Sequence, residues 1–317
     1  MPEYGALGHF WYQEVFVKRD EGMTKGIAAV VVTYNRRALL ARCIDCLLRQ
    51  TQPDMDIWVI DNASTDGTGD MLVPMVRDGR VHYENTGSNL GGAGGFEYGL
   101  RVVSEQDYEY AWIMDDDSMP EPTALEALMR AAGELGEFGY LSGKTLWTDG
   151  SICRMNVQRD LKLRNITDFS QDRIPSGAAT FVSLLVPVRV VREVGLPIGA
   201  FFIWADDLEY TRRISRRYPC WVITDSVTVH CCETNNGGNI STDAPERIPR
   251  YRLAYRNEVY VYRREGIRGA ARLLCRTPLH VLRVLLRSDG RKLERIRVIF
   301  GGTWEGLSFR PPIHRIE

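Results

Sequence analysis

The first half of the chain alternates between two hydrophobic periods. Residues 27–33 (IAAVVVT) form a continuous apolar run, which predicts a strand buried on both faces. Residues 36–50 have apolar side chains at helical spacing. The same alternation predicts strands at 56–61, 81–83 and 110–114, and helices at 64–76 and 94–104. Regular strand–helix alternation implies right-handed crossovers, so we predict a doubly wound, mostly parallel α/β sheet.

The second half of the chain is less regular. Its pattern predicts helices at 122–134 and 207–217 and strands at 141–147, 179–186 and 222–230. No internal repeat or low-complexity linker divides the chain. We therefore predict three parts: an N-terminal extension at 1–22, one α/β domain at 23–245, and a helical C-terminal region at 246–317.

The net charge is only −1, but the charged residues are distributed unevenly along the chain. Residues 246–317 hold 17 Lys and Arg against 7 Asp and Glu, so the tail is basic and the rest is acidic. One helical face of the tail carries Arg268, Arg272, Arg276, His280, Arg283 and Arg287. Such a helix could lie on an anionic membrane, or pack on the domain with its arginines in solvent. No aromatic stacking platform accompanies these residues, so we do not expect nucleic acid as a partner.

Seven cysteines show no disulfide-framework spacing. Cys43 and Cys46 fall within a predicted helix, and Cys231 and Cys232 are adjacent. We therefore expect reduced thiols in a cytoplasmic protein. Apolar runs such as 181–187 are far shorter than the ~20 residues of a membrane-spanning helix, so we expect peripheral membrane contact at most.

Polar residues follow four strands of the first half. These groups are Thr33-Tyr34-Asn35, residues 61–66 (DNASTD), Asn89-Leu90-Gly91-Gly92 and Asp115-Asp116-Asp117. Asn, Asp, Ser and Gly are also ordinary turn residues, so one group alone would indicate little. The carboxyl ends of parallel strands share one edge of the sheet, where ligands bind in such folds. Four groups at one edge predict a binding site.

Asp115 and Asp117 are the strongest candidates for metal ligands. Two carboxylates two residues apart, directly after a buried strand, can reach one divalent ion. Hard oxygen ligands suit Mg²⁺ or Mn²⁺, and a cation would relieve the repulsion among three adjacent acids. His230 ends a later strand and could add a nitrogen ligand to the same ion.

Two further segments suit a ligand that carries phosphate and sugar. The glycine-rich residues 89–95 precede a predicted helix, where backbone amides favour an anionic group. They do not follow the first strand, as a dinucleotide fingerprint would, and no Gly-Lys-Ser/Thr makes them a P-loop. Asp206 and Asp207 follow an aromatic run, FFIW, at 201–204. One of these acids could deprotonate a sugar hydroxyl.

The motifs and their order along the chain resemble those of inverting glycosyltransferases with the GT-A fold. The segments that carry the resemblance are Thr33-Tyr34-Asn35-Arg36, IDNASTDGT (60–68), NLGGAGGFEYG (89–99), MDDD (114–117), FFIWADDLEY (201–210) and His230. The resemblance covers about residues 25–235. The NLGGAGGF and W-x-D-D signatures are similar to the galactofuranosyltransferase and rhamnosyltransferase branch of family 2.

The resemblance implies a role for each matching residue. The nucleotide and donor sugar would be bound by Thr33, Asn35, Asp61, Asn62, Asp66, Asn89, Gly91, Gly92 and Asp116. The metal would be held by Asp115, Asp117 and His230, with Asp207 as the base and Asp206 contacting a sugar. Trp204 would be the acceptor platform. Here one residue, Ala205, separates Trp204 from the acid pair, whereas the tryptophan directly precedes the pair in the galactofuranosyltransferases.

These roles predict a metal-dependent displacement with inversion at the anomeric carbon. The donor would be a UDP- or dTDP-sugar, carrying galactofuranose or rhamnose. The acceptor would be a lipid-linked or oligosaccharide precursor of a cell-surface polysaccharide. Two alternatives stay open on the residues alone: a sugar-nucleotide nucleotidyltransferase, and a non-catalytic nucleotide-sugar or glycan-binding protein on the same scaffold. A nucleotidyltransferase would need a glycine-rich loop after the first strand, and Thr33 to Arg37 contain no glycine.

Overall fold

The computed structural model describes residues 25–316. The predicted extension at 1–22 lies outside the described residues. Nine strands occur in the described range: β1 Lys25–Thr33, β2 Met55–Asp61, β3 His82–Asn85, β4 Tyr108–Asp115, β5 Ser118–Pro120, β6 Leu141–Trp147, β7 Arg173–Pro175, β8 Val182–Pro187 and β9 Trp221–His230. Nine α-helices accompany them: α1 Arg37–Leu48, α2 Thr68–Arg77, α3 Gly91–Ser104, α4 Ala124–Leu135, α5 Val188–Val194, α6 Asp206–Ser215, α7 Tyr251–Tyr262, α8 Gly266–Arg287 and α9 Lys292–Ser308.

The strands form one mixed sheet in the order β3-β2-β1-β4-β8-β6-β9-β5, with β7 paired to β9. Strands β3, β2, β1 and β4 are parallel neighbours. Strand β8 is antiparallel to both β4 and β6, while β6 and β9 are parallel. The predicted mostly parallel, doubly wound α/β sheet is confirmed, and antiparallel β8 divides it into two parallel groups.

Strand β1 is buried on both faces, as its continuous apolar run predicted. Ile27, Ala29 and Val31 join the core beneath α1 and α4, whereas Ala28, Val30 and Val32 join the core beneath α3 and α5. Successive side chains of a strand point to opposite faces, so this one run supplies both hydrophobic layers. Helices on both faces then exclude water from the centre of the sheet.

The C-terminal helices pack on the domain and on each other. Tyr260, Val261 and Tyr262 of α7 share an apolar cluster with Ala93 and Phe201. Tyr251 and Tyr255 of α7 pack with Val284 of α8 and Ile299 of α9 in a further cluster. Helix α8 contains Pro278 within its length. Helix α7 therefore connects the sheet domain to the basic region.

All seven cysteines lie in the described range, and each is free of a disulfide. None of the described helices combines the length and the hydrophobicity needed to cross a bilayer.

Candidate active site

The carboxyl ends of the parallel strands meet at one edge of the sheet. Thr33 pairs with Asp61 across β1 and β2, and Val32 pairs with Asp115 across β1 and β4. Strand β5 continues from the acidic motif and places Ser118 opposite His230 of β9. Strand pairing thus brings together side chains that are more than 100 residues apart in the sequence.

Asp115, Asp117 and His230 form a cluster with the composition of a metal site. Their potential ligand atoms all lie within 4.8 Å of one another. His230 Nε2 lies 2.9 Å from Asp117 Oδ1. Two carboxylates and one imidazole suit Mn²⁺ or Mg²⁺, with further ligands coming from water or a diphosphate. The residues present therefore fit the divalent ion that the sequence predicted.

The carboxylates of Asp115 and Asp117 need a nearby positive charge to stay ionised together. Burial and the charge of Asp117 raise the pKa of Asp115 well above its usual range. Burial also acts to raise the pKa of Asp117, but the hydrogen bond and charge of His230 hold it below its usual range. Burial acts to lower the pKa of His230, but the hydrogen bonds to Asp117 and Cys153, together with the charges of Asp117 and Asp115, raise that pKa to about 11. A protonated imidazole thus compensates part of the acidic charge.

Arg36 supplies a second cation, a role that its place in the sequence did not indicate. Its Nη1 lies 2.6 Å from Asp117 Oδ2 and 3.4 Å from Asp116 Oδ1. Thr33 Oγ1 donates a 2.7 Å hydrogen bond to Asp116 Oδ2. Burial raises the pKa of Asp116 to about 6, opposed by the Thr33 hydrogen bond and the Arg36 charge. The hydrogen bond from Thr33 therefore ties the middle aspartate to β1.

His230 also belongs to a second candidate metal set, with Cys153 and Cys232. Its Nδ1 lies 3.7 Å from Cys153 Sγ, on the opposite side of the ring from Asp117. Thiolates favour softer ions such as Zn²⁺, whereas carboxylates favour Mg²⁺ and Mn²⁺. The thiol contact orients the imidazole, and sequence spacing gave no signal for it.

The residues that the resemblance assigns to donor binding also hold the loops together. Asp61 is buried and accepts hydrogen bonds from Ser64 N and Tyr83 Oη, both at 2.8 Å. Asn35 Oδ1 accepts a 2.7 Å bond from Thr65 N. Asp66 accepts bonds from the backbone N–H groups of Arg37 and Thr68. Each of these side chains therefore stabilises the conformation of a loop at this edge of the sheet.

The glycine-rich segment starts α3 three residues earlier than the sequence predicted, at Gly91. Asn89 Oδ1 accepts a 2.8 Å bond from Gly91 N, and Asn62 Nδ2 donates a 3.0 Å bond to Gly91 O. Gly91 has φ +71°, and a Cβ there would overlap the carbonyl oxygen of Phe202. At Gly92 a Cβ would meet nothing within 4 Å. Because Gly91 has no Cβ, the 202–205 loop can pack directly against the start of α3. The space next to Gly92 is open.

The loop before the acid pair has an unusual backbone that one buried side chain holds. Phe202, Trp204 and Ala205 have φ of +64°, +68° and +65°, a region that is unfavourable for residues other than glycine. Asn257 of α7 is fully buried, and its Nδ2 lies 3.0 Å from the carbonyl oxygens of Phe201, Ile203 and Trp204. Nothing in the helical pattern of α7 marks Asn257, so its role could not be predicted from the sequence.

Asp206 and Asp207 face different surroundings. Asp206 is buried, and its charge acts on Asp115. Burial, then the charge of Asp207, raise the pKa of Asp206 to about 7. Asp207 lines an open cavity of about 650 Å³ together with Trp204. Burial raises the pKa of Asp207, opposed by a hydrogen bond from Leu208 N and by Arg159.

The ring of Trp204 borders this cavity despite the residue inserted before the acids. It lies 4.9 Å from the Tyr251 ring, measured between centroids, at an interplanar angle of 47°. Aromatic faces are common binding surfaces for ligands that are partly apolar. The acid pair therefore lies between the acidic cluster on one side and an aromatic-lined cavity on the other.

The basic face of α8 borders this cavity, and Arg272 and Arg283 on that face are also exposed to solvent. Four of its six basic residues line the same cavity: Arg272, Arg276, His280 and Arg283. Leucines of α8 are exposed as well, with Leu274 76% and Leu286 74% exposed. Amphipathicity specified two faces of α8 but could not tell which of them would meet the domain. The pairing of Arg276 with Glu258 of α7 explains the choice.

Comparison with known proteins agrees with this geometry. The sequence profile described as Glycosyl transferase family 2 matches residues 28–192. The chain is 29% identical to galactofuranosyltransferase GlfT1 of Mycobacterium tuberculosis H37Rv over 261 residues, which cover 78% of this chain and 85% of that protein. It is 26% identical to GlfT1 of Mycolicibacterium smegmatis over 264 residues, which cover 77% and 85%.

Solved structures show the same fold at lower sequence identity. Residues 1–349 of S. aureus TarS align with a TM-score of 0.52 and 14% identity, covering 89% of this chain and 72% of that one. The mannosyltransferase PcManGT from Pyrobaculum calidifontis, in complex with GDP-Man and Mn²⁺, aligns with a TM-score of 0.52, 15% identity and the same coverage. The predicted GT-A fold is therefore confirmed.

The family match covers half of the chain and includes the acidic motif. The chain belongs to glycosyl transferase family 2 and is a glycosyltransferase with the GT-A fold.

Proposed function

We propose that this glycosyltransferase transfers a hexose from a nucleotide-sugar to a hydroxyl of a glycan acceptor, with inversion and with a divalent ion. The observation that carries the proposal is the position of the acid pair. The charge of Asp206 helps to raise the pKa of Asp115 in the acidic cluster. Its neighbour Asp207 lines a cavity large enough for a sugar acceptor. Donor and acceptor would thus meet at one helix N-terminus.

The cluster of Asp115, Asp117 and His230 would hold Mn²⁺ or Mg²⁺. When bound, the ion supplies positive charge to the departing diphosphate. Arg36 adds a cation on the same side of the site, beside Asp117. Thr33, Asn35, Asp61, Asn62, Asp66, Asn89, Gly91, Gly92 and Asp116 would form the donor side. The hydrogen bonds that these residues form with one another and with the adjacent loops would keep the donor side in place before the donor arrives.

Asp207 would act as the base. It would remove the proton of an acceptor hydroxyl, whose oxygen would then bond to the anomeric carbon of the donor. The bond from that carbon to the diphosphate oxygen would break, and the nucleoside diphosphate would leave. Support comes from burial of Asp207, because a raised pKa makes a carboxylate a stronger base.

Galactofuranose is the first candidate for the transferred sugar, with UDP-galactofuranose as donor. The relatives that align over most of this chain are named galactofuranosyltransferases. A dTDP-rhamnose donor is the second candidate, which the sequence motifs also fit. The acceptor would be a lipid-linked or oligosaccharide precursor of a cell-surface polysaccharide. Exposed leucines of α8 would favour contact with a membrane surface.

Release of nucleoside diphosphate from a panel of sugar nucleotides tests the proposal, with Mn²⁺, with Mg²⁺ and with EDTA. We expect release from one donor, stimulated by acceptor and abolished by EDTA. Asp207→Asn should reduce turnover at least about 100-fold while donor binding is retained. Asp70→Asn, which removes an exposed carboxylate of α2, is the matched control and should turn over normally. Near-normal turnover by Asp207→Asn would remove Asp207 as the base.

A further inference from the structure

The cavity beside Asp207 has one wall made of arginines. Arg272, Arg276, His280 and Arg283 follow at spacings of four, four and three residues, so they form a row along α8. At 1.5 Å per residue, this row extends over roughly 16 Å. Arg159 contributes a further guanidinium to the lining of the same cavity. A sugar alone does not require a wall of this charge.

The charges that line the cavity do not cancel. Four arginines face two carboxylates, those of Asp207 and Glu258. His280 adds no charge near neutral pH, because burial and the charges of Arg276 and Arg283 lower its pKa to about 4. The lining therefore has an excess of two positive charges. A partly enclosed wall of one sign attracts ligands of the other sign.

Neighbouring side chains hold the arginines in position. Arg276 pairs with the buried carboxylate of Glu258 and lies 4.8 Å from the centroid of the Tyr255 ring. Arg272 lies 4.6 Å from the centroid of the Tyr262 ring, and Arg159 Nη1 donates a 3.3 Å hydrogen bond to Tyr262 Oη. Over residues 25–316, neither Arg272 nor Arg283 forms an ion pair with a carboxylate. Their N–H groups are available to a ligand.

We propose that the arginine row of α8, completed by Arg159, is a binding subsite for a phosphoryl group, a phosphate or diphosphate, located beside the acceptor sugar. One guanidinium group can donate two parallel hydrogen bonds to two phosphate oxygens. A row of guanidinium groups therefore matches the many oxygens of a diphosphate better than the two oxygens of a carboxylate. The inference rests on the proposed function in one respect, that the cavity holds the acceptor. The phosphoryl group could belong to the acceptor itself or to a phospholipid headgroup at the exposed leucines of α8.

Binding of inorganic pyrophosphate, measured by calorimetry in EDTA, tests the subsite. Without metal the acidic cluster repels this probe, so the arginine row is the expected binding site. The double variant Arg272→Gln/Arg283→Gln should bind pyrophosphate at least about tenfold more weakly than the unsubstituted protein. The control Arg268→Gln/Arg287→Gln removes the same charge from exposed positions of the same helix outside the cavity, and should lose at most about twofold.

Three results would overturn the subsite: no pyrophosphate binding by the unsubstituted protein, equal affinity in all three proteins, or equal loss in both double variants. All four substituted arginines are exposed, and unchanged melting temperatures would show that the variants fold. Because calorimetry requires no turnover, the subsite can fail while transfer stands. Conversely, Asp207→Asn can refute the base without affecting pyrophosphate affinity.

Vesicle pelleting distinguishes the two sources of the phosphoryl group. The vesicles contain either phosphatidylglycerol or phosphatidylcholine alone. If Arg272→Gln/Arg283→Gln loses phosphatidylglycerol binding that the control retains, the subsite takes a lipid headgroup. If both double variants bind vesicles alike while their pyrophosphate affinities differ, it takes a phosphoryl group of the acceptor. Either result supports the subsite.

Discussion

Replacement of Gly91 by alanine should destabilise the protein far more than the same replacement at Gly92. Gly91 has φ +71°, which costs roughly 1–2 kcal/mol for a residue with a Cβ. That Cβ would also overlap Phe202 O and lie 2.7 Å from Phe202 Cγ, and such overpacking costs about 1–3 kcal/mol. Together these costs amount to about 2–5 kcal/mol.

Gly92 is the matched control because it is the next residue of the same helix. Its Cβ would meet nothing within 4 Å. Alanine is favoured over glycine inside a helix, so Gly92→Ala should be neutral or stabilise by about 0.5–1 kcal/mol. Any effect of Gly92→Ala on donor release would then report on the open space at the helix start rather than on folding.

Urea unfolding, followed by circular dichroism, measures both free energies of unfolding. Gly91→Ala should also lower transfer, because displacement of Phe202 moves the loop that precedes Asp206 and Asp207. A free energy of unfolding within about 0.5 kcal/mol of the unsubstituted protein for Gly91→Ala would refute the packing argument. Equal destabilisation by the two substitutions would show that the helix start, and not the Phe202 contact, is the sensitive feature.

Three further predictions concern the site itself. Mn²⁺ should raise the melting temperature of the protein but not that of Asp117→Ala, as measured by differential scanning fluorimetry, and equal shifts would exclude Asp117 as a ligand. Asn257→Leu should lower kcat at least about tenfold, because three carbonyl groups lose their hydrogen-bond donor. A kcat equal to that of the unsubstituted protein would show that the 202–205 loop keeps its geometry without Asn257. The acidic limb of the pH–rate profile should lie above the usual carboxylate range, because burial raises the pKa of Asp207. In Arg159→Gln that limb should move to higher pH, because Arg159 opposes the rise, and a shift to lower pH would contradict this account.

Local pattern in the sequence was sufficient to predict the sheet. The run at 27–33 is apolar at every position except its last, and its short length and β-branched residues favour a strand buried on both faces, which the structure extends to Lys25–Thr33. Element ends were less predictable. Helix α3 begins at Gly91 rather than at 94, because contact with Phe202, more than 100 residues away, stabilises a glycine turn that intrinsic propensity disfavours.

Part of the site was also predictable, for a topological reason. Polar residues directly after parallel strands must share one edge, so the acidic motif and the residues after β1 and β2 could be placed together. The partners of these residues could not. Arg36 beside Asp117, Cys153 beside His230 and Asn257 beneath the 202–205 loop all depend on distances between distant segments.

The sequence by itself determined the α/β class, the order of the motifs and the two faces of α8, because each follows from spacing within one segment. Only the tertiary structure decided which face of α8 meets the domain and which acid of the pair lines the cavity. Hydrophobicity alone would bury the leucines of α8. The partly buried Glu258 of α7 instead requires a cation, and Arg276 supplies it, so the face that carries Arg276 borders the cavity while leucines such as Leu274 and Leu286 remain exposed.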